Sequence, residues 1–196
     1  MVDKNILGAL AVITAFVGYI PYIRDILLGK TKPHSFSWLI WCLTAAISFA
    51  GQISDNAGPG SWVMGTVAVV CFGIFLLSLK KGEKNIVLID YICLAISLLA
   101  IVSWILTDTP LYAVILVTLG DVFGFIPTIR KSISKPYEET LFMYGASSIQ
   151  FIFSLFALEN ISIITTLNPF VLAFINLGFV FILIARRRVI LKPKGY

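Results

Sequence analysis

One carboxylate, Asp121, lies deep within an apolar segment and is the side chain best placed to do chemistry in this sequence. It follows Pro110 by about eleven residues, which is ~16 Å of helix at ~1.5 Å per residue. In a segment that crosses a bilayer, a charge at that depth costs at least ~2.5 kcal/mol and usually marks a pathway or a pairing. Three roles are open to Asp121: a proton-coupling carboxylate, a hydrogen-bond acceptor for a polyol or amine, or a structural group satisfied by a neighbouring helix.

Polar side chains recur at helical spacing in two other apolar segments, each set beginning with an aromatic residue. The sets are Trp41, Thr44, Ser48 and Gln52, and Tyr144, Ser147, Gln150 and Ser154. Steps of three and four residues place each set on one face of a helix. An aromatic ring can stack on the apolar face of a sugar while hydroxyls and amides bind its hydroxyl groups. The alternative is interhelical hydrogen bonding, which is common in membrane bundles.

Other chemistries find little support in the residue types. The sequence has one histidine, His34, and no acidic or cysteine cluster, so we predict no metal site and no cofactor. His34 lies in a basic loop, where we expect a solvated side chain. An enzyme would need a Ser-His or His-metal set at the membrane face, and none is recognisable, so we do not expect catalysis.

These residues must be positioned by membrane-spanning helices. Hydrophobic residues make up 59% of the chain and charged residues 13%, against about 25% charged in soluble domains. Segments of ~20 apolar residues can cross a bilayer. Seven qualify: 5–23, 35–54, 56–79, 85–107, 109–129, 140–158 and 160–185. With 196 residues, this leaves no room for a soluble enzyme, a nucleic-acid binder or a disulfide scaffold.

The loops alternate in charge, which predicts the orientation. Short cytoplasmic loops hold the excess of Lys and Arg. All basic residues except Lys4 fall on one side, namely Arg24, Lys30, Lys32, Lys80, Lys81, Lys84, Arg130, Lys131, Lys135, Arg186, Arg187, Arg188, Lys192 and Lys194. The opposite loops contain Asp55, Asp108 and Glu159. We therefore predict an N-terminus outside and a cytoplasmic C-terminus, with Trp38, Trp62 and Trp104 as interface anchors.

Two parts of the chain resemble each other. The segment 18–24, GYIPYIR, matches 124–130, GFIPTIR, at five of seven positions with an offset of 106. Downstream, Lys32-Pro33 matches Lys135-Pro136, and Pro59 precedes the third helix as Pro169 precedes the seventh. We predict an all-α membrane protein with two parallel three-helix repeats, 1–81 and 108–196, joined by a linker helix within 82–107. Parallel repeats are one of the known transporter plans.

The repeated prolines, Pro21 and Pro127, fall inside predicted helices. Proline removes an intrahelical hydrogen bond and creates a point where a helix can bend. Matched bends in two repeats are suited to a hinge or gate, although proline can also kink a helix for packing alone.

The plan resembles the SWEET and PQ-loop (MtN3-like) transporters. The resemblance rests on the 3+1+3 helices, on the aromatic-Ile-Pro element of each repeat, and on the segment 30–38, KTKPHSFSW. Tyr22 and Thr128 stand where the PQ motif has Gln. The resemblance implies alternating-access transport of a mono- or disaccharide. It also implies that Asn176, seven residues after Pro169, contacts the sugar, and its counterpart after Pro59 is Thr66.

Two alternatives remain. One is a proton-coupled carrier of an amino acid or vitamin that depends on Asp121; the stretch 38–41, WLIW, faintly resembles nicotinamide riboside carriers. Uniport is favoured because Asp121 has no second deep carboxylate to form a relay. The other alternative is a receptor or enzyme without transport. The expected partners are a small solute and the lipid bilayer, with a homo-oligomer as an option and no nucleic acid. Compact loops favour a prokaryote, and the expected location is the cell membrane, plasma or inner.

Overall fold

A computed structural model of the chain describes residues 3–106 and 110–191. Asp108, Lys192 and Lys194, and the side chain of Trp104, lie outside that description. The described residues form helices and no strands. In chain order the helices are α1 (Lys4–Leu27), α2 (Ser35–Ser54), α3 (Trp62–Lys81), α4 (Leu88–Ile105), α5 (Pro110–Ser134), α6 (Leu141–Ala157) and α7 (Ile163–Val189). Short 3-10 turns at Gly58–Ser61 and Pro136–Glu138 precede α3 and α6.

Five described helices are long and apolar enough to cross a membrane, as expected of an integral membrane protein. They are Lys4–Leu27, Ser35–Ser54, Gly58–Lys81, Leu111–Ser134 and Ile163–Val189. Two further apolar segments are shorter: Leu88–Leu99, which is part of α4, and Leu141–Ala157, which is α6. The 17 residues of α6 are at the lower limit for spanning a bilayer, which is roughly 17 residues.

Helix α7 begins earlier than its proline suggests. Ser162 and Thr165 form a capping box that starts the helix, so Pro169 lies inside it. A proline removes the hydrogen bond to the carbonyl four residues earlier, here that of Thr165. Gln52 Nε2 of α2 donates to this oxygen at 3.1 Å. The predicted equivalence with Pro59 is therefore wrong, because Pro59 lies in the 3-10 turn before α3.

The helices pack closely where glycine faces a neighbour. Helix α1 contacts α3 and α6, α2 contacts α3 and α5, and α7 contacts α5 and α6, while α4 lies against α5 and α2. A Cβ atom on Gly18 would lie 2.7 Å from Ala146 Cβ, and one on Gly8 would lie 2.7 Å from the carbonyl oxygen of Pro59. The side-chain hydrogen of these glycines thus sets the distance between α1 and its neighbours.

The two ends of the bundle differ in charge. At one end, Lys4 Nζ donates to Leu158 O at 2.7 Å, and Asn160 Nδ2 donates to Asp55 O at 2.9 Å. At the other end lie the remaining described basic residues, several of which pair with acidic residues; Lys32 Nζ lies 2.7 Å from Glu138 Oε1. We call these the acidic end and the basic end. They correspond to the two sides predicted from the loops.

We expect Gly18→Ala to destabilise the bundle by about 1–3 kcal/mol, because the new methyl group overlaps Ala146 on α6. Gly145→Ala is the matched control, since a Cβ there has no described atom within 4 Å. The measurement is thermal unfolding of the purified protein in detergent. Equal melting temperatures for the two variants would contradict the proposed close contact.

Candidate functional site

A small cavity lies at the centre of the bundle, enclosed by six helices. Its lining residues are Tyr19, Trp38, Trp41, Ala45, Met64, Val67, Cys71, Asp121, Phe125, Met143, Tyr144, Ser147, Phe151, Leu172 and Asn176. The space open to the centres of water-sized molecules is about 40 Å³. Since one water needs ~10–15 Å³ by this measure, the cavity holds about three. At about 40 Å³ it is well below the size of a binding pocket for a large ligand.

Aromatic rings form a continuous wall of the cavity. The Trp38 and Trp41 ring centroids are 5.2 Å apart and nearly perpendicular, and Trp41 and Phe125 are 4.6 Å apart. Tyr19 packs edge-on against Trp38 at 6.3 Å. On the other side, Phe125 faces Tyr144 at 6.4 Å. Edge-to-face contacts of this kind stabilise a fixed ring arrangement, so the wall is a defined surface.

Asp121 joins three helices at the edge of this wall. Its Oδ1 accepts a short hydrogen bond from the Thr44 hydroxyl of α2, and its Oδ2 accepts one from Asn168 Nδ2 of α7 at 2.6 Å. Trp41 Nε1 donates to the Asp121 backbone oxygen at 3.3 Å. All of these donors are neutral. Gly120 and Gly124 flank Asp121, and a Cβ on Gly124 would lie 2.8 Å from Trp41 Nε1, so glycine permits this approach.

The structure brings together most of the predicted site residues. Trp41, Asp121, Tyr144, Ser147 and Asn176 all line the cavity. Asn176 Nδ2 donates to Leu172 O at 2.8 Å, which holds its side chain on the wall.

Thr66 does not line the cavity. Its hydroxyl donates to Trp62 O at 3.0 Å, and its neighbour Val67 takes the place on the wall. The prediction of Thr66 depended on matching Pro59 with Pro169, which lie at different points of their helices. Consecutive helical residues point about 100° apart, so a register error of one residue moves a side chain off the wall.

The predicted polar faces continue from the cavity toward the acidic end. Thr44, Ser48 and Gln52 of α2 are buried, as are Gln150 and Ser154 of α6. Several buried polar atoms here make no hydrogen bond to any described residue: Ser48 Oγ, Gln52 Oε1, Asn168 Oδ1 and both amide atoms of Gln150. An unpartnered buried polar atom costs about 1–3 kcal/mol. These atoms therefore offer hydrogen bonds to any water or solute that reaches them.

A buried ion pair lies beside the cavity, toward the basic end. Lys131 Nζ and Glu139 Oε1 form a short contact, and both residues are at most 3% exposed. Glu139 Oε2 also accepts from the hydroxyls of Tyr22 and Tyr144, at 3.1 and 2.9 Å. Tyr144 thus contacts both the cavity and the ion pair: its ring lines the cavity and its hydroxyl donates to Glu139.

His34 is buried, so its predicted solvated position is wrong. It is 0% exposed, and its Nε2 lies 3.3 Å from Asp90 Oδ2. Arg130 donates from Nε and Nη2 to the two Asp90 oxygens at 3.0 and 2.7 Å, a bidentate pair. Burial lowers the pKa of His34, although Asp90 opposes this effect. Asp90 therefore ties the start of α4 to α5 and does not face the cavity.

The sequence interpretation missed Trp38, Tyr19 and Phe125. Trp38 was expected at the interface but is 1% exposed and lines the cavity. It precedes Trp41 by three residues, and this helical spacing was a signal that the two share a face. Tyr19 and Phe125 are the aromatic residues of the repeated segment, each two positions before Pro21 or Pro127. Both prolines lie inside continuous helices, outside the cavity wall.

The described residues thus form a helical bundle, consistent with an integral membrane protein, that surrounds an aromatic and polar site. Comparison of the chain with family models, with curated proteins and with solved structures gives no match.

Glu83, between α3 and α4, forms a further ion pair at the basic end, with Lys135, which follows α5. Burial alone would raise the pKa of Glu83, but Lys135 Nζ, 2.9 Å from Oε2, and the backbone N–H groups of Asn85 and Lys84 lower it to about 2. A pKa that is lower in the folded state stabilises the fold above the unfolded value of 4.5. This stabilisation is lost as the pH falls through about 2.

We expect Glu83→Gln to be less stable than the natural protein at neutral pH. The difference should shrink as the pH falls from about 4.5 to about 2, where the natural carboxylate is protonated. Melting temperatures across this range measure it. In a Lys135→Met background the effect of Glu83→Gln should be much smaller, and an undiminished effect would show that Lys135 is not the partner.

We expect Glu139→Gln to increase access to the cavity from the basic end, because the variant removes the charge that holds Lys131 and two tyrosine hydroxyls. Cys71 is a natural reporter, since it lines the cavity and is 1% exposed. Its reaction with a small thiol reagent should be about tenfold faster in the variant, measured with Cys42 and Cys93 replaced by Ser. Unchanged labelling would mean that the ion pair does not close the cavity.

Proposed function

We propose that this chain is a membrane transporter that carries a small polar solute by alternating access. The observation that carries the proposal is the enclosed cavity, where a deep carboxylate and Asn176 lie among aromatic rings. A bundle stabilised only by packing would have no need of a buried carboxylate and a row of unpartnered polar atoms at its centre. Both features cost free energy that close apolar packing would avoid.

The helix contacts support two three-helix repeats joined by α4. Among these six helices, exchanging α1 with α5, α2 with α6, and α3 with α7 converts each observed pair into another observed pair. For example, the α1–α6 contact becomes the α5–α2 contact, and α1–α3 becomes α5–α7. We propose that all seven helices cross the bilayer, with the N-terminus outside and the basic end in the cytoplasm, as the charge distribution favours.

Alternating access would require the two ends of the cavity to open in turn. The Lys131–Glu139 pair supports a gate at the basic end, where opening would break the contacts of Lys131 Nζ with Glu139 Oε1, Glu138 O and Lys32 O. Pro21 and Pro127 are the proposed hinges. Each lies between a cavity aromatic, Tyr19 or Phe125, and the charged residues of the basic end.

A mono- or disaccharide is the first solute class that we propose. Rings of Trp41 and Tyr144 can stack on a sugar, while Asn176, Ser147 and Gln150 offer hydrogen bonds. The resemblance to the SWEET and PQ-loop transporters points the same way. A space of about 40 Å³ cannot hold a disaccharide, so a sugar would enter a more open state of the same site.

A proton-coupled carrier of an amino acid or vitamin is the second candidate. Asp121 favours it, because the carboxylate lines the cavity with only neutral hydrogen-bond donors. We place either transporter in the cell membrane, plasma or inner, and a homo-oligomer is compatible with both. A receptor or enzyme without transport would be indicated by failure of every solute in the experiment below.

The test is uptake of labelled sugars, amino acids and vitamins into proteoliposomes, with and without a pH gradient. For a facilitator, sugar uptake should ignore the gradient and fall about tenfold in Asn176→Ala, the loss expected for a contact of about 1.4 kcal/mol. Thr66→Val is the control, because Thr66 lies off the cavity wall. Gradient-driven uptake that stops in Asp121→Asn would instead identify the proton-coupled carrier.

A further inference from the structure

The charge of the cavity is not balanced by its own wall. Among the described lining residues, Asp121 is the one acidic group, and no Lys, Arg or His accompanies it. The next cation along α5, Lys131, is ten residues away, which is ~15 Å of helix. Lys131 is also engaged by Glu139, so their charges cancel locally. An ionised Asp121 would therefore leave one negative charge in the cavity.

The hydrogen bonds of Asp121 leave room for another donor. Thr44 supplies one donor to Oδ1 and Asn168 supplies one to Oδ2. A carboxylate has about four lone-pair sites, so each oxygen can accept once more. Neutral donors stabilise the charge without neutralising it, and a buried unpaired charge is strongly destabilising. A neutral sugar would add hydrogen bonds but would leave that charge uncompensated.

The aromatic wall can attract the positive charge that would neutralise Asp121. The faces of Trp, Tyr and Phe rings attract cations, and the attraction reaches about 2 kcal/mol or more where water is excluded. Trp38, Trp41, Phe125 and Tyr144 form the wall beside Asp121, and Trp38 Nε1 is buried with no hydrogen bond to a described residue. A carboxylate beside several aromatic rings is a combination that recognises an organic cation.

We propose that the solute of this cavity is a small organic monocation, with its ammonium group at Asp121 and its apolar part among the aromatic rings. The inference rests on the proposed transport function, and it favours a cationic solute over the neutral sugar proposed first. Occupancy by such a cation neutralises the cavity, whereas the empty cavity carries the carboxylate alone. The charge of Asp121 thus allows the cavity to distinguish a cation from a neutral solute of equal size and shape.

The test compares each cation with a neutral molecule of the same shape. Choline is paired with 3,3-dimethylbutan-1-ol, in which carbon replaces the quaternary nitrogen, and ethanolamine is paired with propan-1-ol. Binding to the purified full-length protein is followed by tryptophan fluorescence, since Trp38 and Trp41 line the cavity. We expect the cation of at least one pair to bind about tenfold or more tightly than its neutral partner, and Asp121→Asn to abolish this preference.

The controls separate this proposal from the proposed function. Thr66→Val should keep the preference for the cation, and the comparison in the natural protein stands even if Asp121→Asn does not fold. Equal affinity within both pairs, or an unchanged preference in folded Asp121→Asn, overturns the monocation. If proteoliposomes then take up labelled glucose but not choline, transport stands and only the charge of the solute was wrong. Uptake of neither, with no binding, overturns both proposals.

Discussion

The carboxylate of Asp121 is the constraint on which the centre of this bundle depends. A charge at this depth must be surrounded by donors, and the donors come from two other helices, through Thr44 and Asn168. To reach it, α2 must approach α5 closely, and glycine at 124 permits this, since a Cβ there would lie 2.8 Å from Trp41 Nε1. The same approach brings Trp41 over the backbone of α5 and so creates one wall of the cavity. One costly side chain thus determines the spacing of three helices.

Tyr144 connects that centre with the closure at the basic end. Its ring packs against Phe179 at 4.5 Å and lines the cavity, while its hydroxyl binds Glu139. A solute that displaced the ring would therefore strain the hydrogen bond to the ion pair. Conversely, loss of the ion pair would free the ring. This is a direct mechanical link of a few ångströms, and it needs no chain of intermediate residues.

The depth of a residue along its helix could be predicted from the sequence. The direction in which its side chain points around the helix axis could not always be predicted. Asp121 was identified because its charge is conspicuous in an apolar segment, and Trp41 and Tyr144 because their polar partners repeat at helical spacing. Trp38 was misassigned because an indole near a helix end suits both an interface and a core. Its burial depends on the neighbouring helices α1 and α5, whose positions no local pattern contains.

The errors at Thr66 and His34 have different causes. The Ser162 capping box determines where α7 begins. Because Pro169 was taken as the start of this helix, the segments that follow Pro59 and Pro169 were aligned incorrectly. His34 lies in a loop rich in charge, but the pairing of Arg130 with Asp90 folds that loop inward and excludes water. At Thr66 one local signal outweighed another, whereas at His34 a tertiary interaction between distant residues overrode the local expectation.

The glycine of the repeated segment occurs twice, and its two neighbours are of very different size. At the seam between α1 and α6, Gly18 meets the methyl group of Ala146, whereas at the seam between α2 and α5, Gly124 meets the indole of Trp41. The first seam brings two backbones together. The second places a large ring against the helix backbone, where Trp41 Nε1 donates to Asp121 O. The same glycine thus accommodates a methyl group in one helix contact and an indole in the other.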